Sequence, residues 1–379
     1  MMSNASQNLQ GVVERIKAAA SAGTPLRIRG GGSKDFYGQS LQGDILDTTG
    51  LNGITSYEPS ELVVTVQAGT PLAELEVVLA EKNQCLPFEP PHFSAGTTVG
   101  GMVAAGLSGP SRASSGSVKD FVLGVNMVNG KGEELHFGGT VMKNVAGYDV
   151  SRLMAGSMGT LGLITEISLK VLPIAPAEAT LKFACSQTEA LNMLNTWSAQ
   201  PLPLNASCWI QEAGQGVLYV RLRGAVAAVE AAIHKMGGQL QNAASGNATV
   251  AADWQALRHQ NMDFFKLQGD ECLWRLSVPD TTPDLQLADI DKTLIEWHGA
   301  QRWLKLPYSE AVHIRGKANA AAGNAILFIA HQAINTPDNI ENRVIFNPLK
   351  APLDRIHRDL KRQFDPAGIF NRGRMFADM

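Results

Sequence analysis

The chain has 379 residues, 45% of them hydrophobic and 18% charged, with 32 Lys and Arg against 35 Asp and Glu for a formal charge of −3. That length allows two or three domains and a core of its own, and the apolar content excludes wholesale disorder. Without a basic excess to neutralise phosphates, nucleic acid is excluded as the main partner.

The four cysteines, Cys85, Cys185, Cys208 and Cys272, make no C-x-x-C pair. No zinc ribbon or iron–sulfur cluster signature is present, no metal site is expected, and the cysteines read as reduced, buried thiols of a cytosolic protein. The stretch Met1–Gln10 has neither a basic nor an apolar region of a signal peptide, and no window of about 18 apolar residues marks a spanning helix. The expected location is cytoplasmic, with any contact to the inner face of the cell membrane made through partners.

In chain order, residues 5–20 place Leu9, Val12, Val13 and Ile16 on one helical face, with Gly23 as a cap. Short strands follow at Leu26–Ile28, Ile45–Asp47, Gly53–Tyr57 and Leu62–Gln67. Thr70-Pro71 reads as N-cap and first turn of a helix to about Lys82, with Leu72, Leu75, Val78 and Leu79 inward. Phe121–Val128 and Glu133–Phe137 flank Asn129-Gly130, a hairpin signal. Val150–Met154 reads as a short helix and Leu161–Leu172 as a strand that stops at Pro173. Further strands are expected at Leu181–Ala184, Ala206–Gln211, Gly216–Arg223, Cys272–Val278 and Ile326–His331. Helices are expected at Ala225–Lys235, Ala251–His259 and Asp354–Gln363, the last as a charged, solvated face or a partner-docking face.

Glycine divides the chain. Of 37 glycines, 25 lie in residues 1–173, roughly twice ordinary usage, which sets a boundary near Pro173. Residues 1–173 read as one domain, 174–350 as a second α+β domain with an antiparallel sheet and helices on one face, and 351–379 as a C-terminal segment.

Three runs concentrate the glycines: Ile28–Ser33 after a strand, Gly96–Gly106, and Gly156–Ile164. Such runs let main-chain N–H groups converge on an anion without lysines, and Gly100-Gly101 opens a short helix whose N-terminus adds favourable charge. Convergence of two or three of them suits a pyrophosphate. G-x-G-x-x-G is absent, and Gly130-Lys131 and Gly316-Lys317 are not followed by Ser or Thr, so neither a Rossmann nicotinamide site nor a P-loop is supported.

Taken together, Arg29–Gly32, Thr98–Gly101, Gly116–Asp120, Lys143–Asp149 and Gly159–Gly162 resemble the FAD-binding domain of the vanillyl-alcohol oxidase / p-cresol methylhydroxylase (PCMH) family, in order and spacing across about 150 residues. The ending Phe364–Asn371 resembles that family's return to the flavin. The resemblance implies an α+β, PCMH-type two-lobed FAD-binding domain, a smaller α+β cap domain with an antiparallel sheet, and that C-terminal return. It implies that Arg29, Gly30, Gly31, Gly32 and Ser33 wrap the FAD pyrophosphate with main-chain N–H groups. Gly96, Thr97, Thr98, Val99, Gly100 and Gly101, with Gly106 beyond them, would form a second cradle. Pro90, Ser115, Gly116 and Val118 would line the flavin side, Gly159, Gly162 and Ile164 the adenosine half, and Asn371 the isoalloxazine edge. Where some relatives carry a flavin-linking histidine this chain has Ser33, so non-covalent FAD is expected.

Within the family, Val141–Leu172 is especially similar to the smaller FAD-binding subunits of bacterial glycolate oxidases. That implies a subunit of a complex oxidising glycolate to glyoxylate, working with a larger FAD-binding subunit and an iron–sulfur subunit that takes the electrons. Two alternatives stand beside it: a self-sufficient FAD-dependent dehydrogenase of another 2-hydroxy acid, and a scaffold that has lost FAD. The Ser-Gly-Glu-His-Gly string of larger members is absent, and Glu296-Trp297-His298-Gly299 reads as a surface or turn histidine. His313 and Arg315 are candidates for a carboxylate clamp, since a strand would put both on one face.

Overall fold

The computed structural model describes residues 4–39, 41–140, 148–242, 244, 249–331 and 344–379. The Lys143–Gly147 part of the motif above lies outside the described residues.

The chain opens with helix α1 (Asn4–Ala22), which ends at Gly23 with φ 67°. Its apolar face, Val13, Ile16 and Ala19, packs on Leu26 of β1 (Leu26–Arg29) and Leu46 of β2 (Asp44–Asp47), a parallel pair. A five-stranded antiparallel sheet follows, in the order β3 (Ile54–Glu58), β4 (Val63–Gln67), β8 (Leu163–Lys170), β6 (Val122–Val128), β7 (Glu134–Gly138). The inner strands β4 and β8 are buried along most of their length, as their β-branched runs demand. Helix α2 (Leu72–Ala80) lays Leu72, Leu75 and Leu79 on this core, with Pro71 rather than Thr70 at the N-cap and Val78 half-buried. The β6–β7 turn is longer than the two residues Asn-Gly suggested: Asn129 Oδ1 accepts from Lys131 N (2.9 Å) and Glu133 N (3.0 Å), and Gly132, not Gly130, takes positive φ. Short helices α3 (Val99–Ala105), α4 (Arg112–Ser115), α5 (Val118–Phe121) and α6 (Val150–Met154) fill the joints. The two-residue strands β5 (Gln84–Cys85) and β9 (Leu172–Pro173) pair with each other.

From Ala177 onward an eight-stranded antiparallel sheet is built in the order β13 (Gln239–Gln241), β10 (Ala177–Ala184), β12 (Gln215–Gly224), β11 (Leu204–Glu212), β15 (Thr293–Glu296), β16 (Gln301–Pro307), β14 (Glu271–Ser277), β17 (Asn324–Ile329). Helices α7 (Gln187–Ser198), α8 (Val226–Met236) and α10 (Ala311–Ala320) cover one face. The expectation of helices on one face only is corrected by α9 (Val250–His259). Its Trp254 packs on the opposite face, donating Nε1–H to Thr180 Oγ1 at 2.9 Å, among Tyr37, Leu107 and Met158 from the first half of the chain.

Helix α11 (Leu353–Phe364) leads the tail back to β1: Leu26 N donates to Ile369 O (2.7 Å) and Asn371 N to Leu26 O (2.9 Å). The return is pinned by a buried ion pair. Lys361 Nζ donates to Asp365 Oδ2 (2.7 Å), Thr160 O (2.8 Å) and Phe370 O (2.8 Å), while Asp365 accepts from Ile369 N and Phe370 N. Asp365→Ala leaves a buried ammonium and two amides short of a partner. The expected loss is about 3–5 kcal/mol, read from a shift of the denaturant midpoint at unchanged slope.

Candidate functional site

A cleft of about 820 Å³, counted to its open mouth, runs between β1 with its following loop, α3, the Met158–Ile164 segment and the returning tail.

The floor is the loop after β1. Arg29 turns its guanidinium back, Nε to Asp35 Oδ2 at 3.0 Å, and Arg27 joins the same carboxylate at 2.5 Å. Gly32 lies against the Arg29 guanidinium and takes φ 72°, a backbone conformation in which any other side chain is strained. Gly31 lies against the Gly96 carbonyl, so a Cβ there would overlap backbone. The outcome is four successive N–H groups, of Gly30, Gly31, Gly32 and Ser33, that find no protein acceptor among the described residues. Arg374 holds the far side of this loop. It is buried, and its guanidinium donates to the carbonyls of Lys34 (3.0 Å), Asp35 (3.2 Å), Gln39 (2.8 Å) and Tyr37.

The second glycine run behaves differently. Val99 N donates to Thr70 O, Gly100 N to Ala68 O and Gly101 N to Thr98 Oγ1, the cap of α3. A Cβ on Gly100 would stand 2.6 Å from Ala68 Cβ. These glycines let α3 lie close on β4 and form a wall, with their donors already spent. Gly159, Gly162 and Ile164 line the opposite wall. Asn371 bridges the two sides: its Oδ1 accepts from Ile28 N (2.8 Å) and its Nδ2 donates to Met158 O (2.6 Å).

Of the residues singled out in the sequence, the cleft gathers Arg29, Gly30, Gly31, Gly32, Ser33, Thr98, Gly100, Gly101, Gly159, Gly162, Ile164 and Asn371. Thr97, Val99 and Gly106 stand behind its walls: Thr97 and Val99 are buried, and Gly106 ends α3 at φ 64° against Gly156, while Gly96 is exposed with its carbonyl against Gly31. Pro90, Ser115, Gly116 and Val118 lie elsewhere. The Pro90 carbonyl accepts from Arg258, Ser115 Oγ donates to Pro87 O, Gly116 ends α4, and Val118 is core.

The proposed clamp dissolves. His313 and Arg315 sit on helix α10, where residues two apart point to different sides. His313 is exposed, and Arg315 donates to Val344 O at 2.5 Å with its guanidinium over the Trp274 ring. The buried spacing Ala311, Ile314, Ala318 makes this segment helical. His298 is a turn residue but not a surface one. It is buried, with Nε2 3.0 Å from Ser114 Oγ and Nδ1 3.1 Å from Ser207 Oγ.

Sequence reasoning passed over Lys34, Asp35 and Arg374. Lys34 lines the cleft with its ammonium 3.3 Å from Ser33 Oγ and 5.9 Å from the centre of the Phe93 ring, and burial pushes its pKa down to about 8. The cleft lining thus holds Arg27, Arg29, Lys34 and Arg374 against the carboxylate of Asp35. Unspent N–H donors, a half-buried ammonium and a cationic lining are what a diphosphate requires. The alternation of Arg27 and Arg29 just before the glycines was the available signal, since both arginines need the downstream Asp35.

Residues 6–150 match the family described as FAD binding domain. Over 370 residues the chain is 44% identical to glycolate oxidase subunit GlcE of Escherichia coli (strain K12), with 98% of each chain covered. The chain belongs to the GlcE family. Glycolate oxidase subunit GlcD of Bacillus subtilis (strain 168) is 33% identical over 132 residues, 35% of this chain and 28% of that one. Among solved structures, alkyldihydroxyacetonephosphate synthase superposes with a TM-score of 0.65 at 16% identity, covering 96% of this chain and 75% of that one. The fold is therefore the PCMH-type FAD-binding architecture. Membership of the GlcE family gives the unpaired donors of Gly30–Ser33 a ligand class that fits them, a dinucleotide with a pyrophosphate bridge.

Proposed function

We propose that this chain is the FAD-binding subunit of a glycolate oxidase and that its glycine cleft holds FAD non-covalently. The observation that carries the reading is the run of four unpaired N–H groups at Gly30–Ser33, held open by glycine–carbonyl contact behind and by Arg374 beneath. Those amides and the Lys34 ammonium would receive the pyrophosphate. The small residues of α3 and the Gly159–Ile164 wall would flank the rest of the molecule. When bound, FAD accepts the two electrons released as a 2-hydroxy acid becomes a 2-oxo product. Pyrophosphate arriving beside Lys34 would restore the charge that burial disfavours, so binding draws a proton onto the ammonium above about pH 8.

The protein works, in this reading, with a larger FAD-binding subunit and an iron–sulfur subunit. Among the described residues no three His, Cys, Asp or Glu side chains converge for a metal, and the onward electron carrier is assigned to the separate iron–sulfur chain. No helix among the described residues is long and apolar enough to cross a membrane. Cytoplasmic placement, with any membrane contact made through partners, is part of the same proposal.

The test is direct. The chain purified alone is expected to be yellow, to release all its flavin on denaturation, and to capture an iron–sulfur protein and a larger flavoprotein from its native host. A chain that stays colourless after incubation with FAD would favour the scaffold reading.

A further inference from the structure

A second cavity, of about 520 Å³, lies between helix α9 and the face of the large sheet that looks toward the first half of the chain. Cys208 and Ile210 of β11 with Tyr219 of β12 form its floor, and Val250, Trp254 and Leu257 of α9 form its roof. The period of two along β11 puts Cys208, Ile210 and Glu212 on this face, while Trp209 points the other way and packs under α7. The gap is held open, because α9 is fastened to its surroundings. Trp254 Nε1 donates to Thr180 Oγ1 (2.9 Å), and Arg258 Nε donates to Pro90 O (3.0 Å) while its NH2 group pairs with Glu76. A space of this size accommodates a small molecule.

Most of the lining is apolar, and Cys208, Trp254, Leu257 and Phe264 are buried. Three carboxylates also line it, and two of them are already matched. Glu212 accepts from the Tyr219 hydroxyl (2.9 Å) and from Lys182 Nζ (3.1 Å), and Asp263 pairs with Lys266 (2.6 Å). The third, Asp253, is exposed near the start of α9, and its carboxylate has no hydrogen-bond or ion-pair partner among the described residues. The charge that acts on it is of its own sign: burial and then the Glu212 carboxylate push the Asp253 carboxyl above its ordinary value. The aromatic rings already carry cations, Trp254 that of Arg221 (4.9 Å), Tyr219 that of Lys182 (5.2 Å) and Phe264 that of Lys305 (5.2 Å). They offer the cavity hydrocarbon surface, and what is still wanting beside it is one positive charge at Asp253.

We propose that this cavity binds a small organic amine, with its ammonium on Asp253 and its hydrocarbon body against Ile210, Trp254 and Leu257. An ammonium there makes a charge-assisted hydrogen bond and relieves the repulsion between Asp253 and Glu212. A neutral molecule of the same shape gains only the apolar contact, and an anion meets Asp253 as a like charge. No residue of this cavity lines the glycine cleft, so occupancy is expected with or without FAD.

Calorimetric titration of the full chain, with and without FAD, compares 2-phenylethylamine with 2-phenylethanol and 3-phenylpropanoate, which carry the same ring on a neutral and an anionic head. The amine is expected to bind about tenfold tighter than the alcohol, and the propanoate most weakly. Asp253→Asn, at an exposed position, should bring the amine down to the level of the alcohol while leaving the alcohol unchanged. Ile210→Trp, which fills the cavity from its floor, should abolish binding of all three. Circular dichroism verifies the fold of each variant, and Asp253→Asn decides alone if Ile210→Trp fails to fold. No binding of the amine, an alcohol or propanoate that binds as tightly, or amine binding that Asp253→Asn leaves unchanged would overturn the assignment. A chain that fails to take up FAD yet binds the amine in this pattern would overturn the cofactor reading and uphold this one.

Discussion

Gly31→Val is expected to give a folded chain that emerges from purification without flavin. The α-carbon of Gly31 faces the carbonyl of Gly96, and a side chain there would occupy the space of that backbone. Neither partner can give way freely. Gly96 precedes the buried Thr97-Thr98-Val99 segment, and the loop on the Gly31 side is fastened through Arg29–Asp35 and the Arg374 contacts. Relief would come by swinging the loop off Gly96, which scatters the four N–H groups. Displacing these unpaired donors should weaken FAD binding at least a hundredfold, about 3 kcal/mol. Gly11→Ala, where a Cβ meets nothing within 4 Å, serves as the control. The readout is the ratio of flavin to protein absorbance after desalting, with circular dichroism to verify the fold. Full flavin occupancy in Gly31→Val would refute the role assigned to this loop.

Much of the fold was legible because its signals are local. The strand at Leu26, the β-branched Val63–Gln67 run and the helix at Val150–Met154 each carry their pattern within a few residues, and each forms where the pattern places it. The strands Thr293–Glu296 and Gln301–Pro307 were missed for the opposite reason. Glu296, Gln301 and Arg302 are polar residue types that break the apolar strand pattern, yet all three are buried, Arg302 donating to the carbonyls of Thr282 and Pro283 and Gln301 to Glu296. The helix Gln187–Ser198 was missed although Ser186 and Glu189 form a capping box at its start. At the cleft, the three glycine runs supply Gly30, Gly31, Gly32, Gly100, Gly101, Gly159 and Gly162 to one lining. Sequence spacing could not distinguish those that free their N–H groups, Gly30–Gly32, from those that allow close packing, Gly100 and Gly101. That difference depends on whether another chain segment accepts the hydrogen bond, and Ala68 and Thr98 do so only once folded.

Arg221→Met should destabilise the protein by about 3–5 kcal/mol, the range for stranding one member of a buried ion pair. Glu89, in the loop after β5, reaches across to the large sheet. Its two carboxylate oxygens each accept from Arg221 NH2 at 2.7 Å, Arg223 NH1 adds 3.2 Å, and Ser111 N donates at 3.1 Å. Arg221 is 2% exposed and also donates to Asn205 Oδ1, with its guanidinium over the Trp254 ring. Burial by itself would raise the Glu89 carboxyl, but Arg221 and then Arg223 outweigh it and hold the pKa below the ordinary value. A depressed folded-state pKa means that the contribution to stability is complete above the unfolded carboxylate pKa and is lost as pH falls through the folded one. The parent protein should therefore lose stability in acid more steeply than Glu89→Gln. The double variant Glu89→Gln/Arg221→Met should cost less than the sum of the two singles, because the desolvation of both charges is removed together. Strict additivity in denaturant melts would show that the pair does not act as a unit across the junction. Among the described residues the glycine cleft is lined only by residues within 27–164 and the returning Asn371 and Arg374, so Arg221→Met should lower stability without emptying the cleft directly, whereas Gly31→Val should lose FAD without a comparable loss of stability.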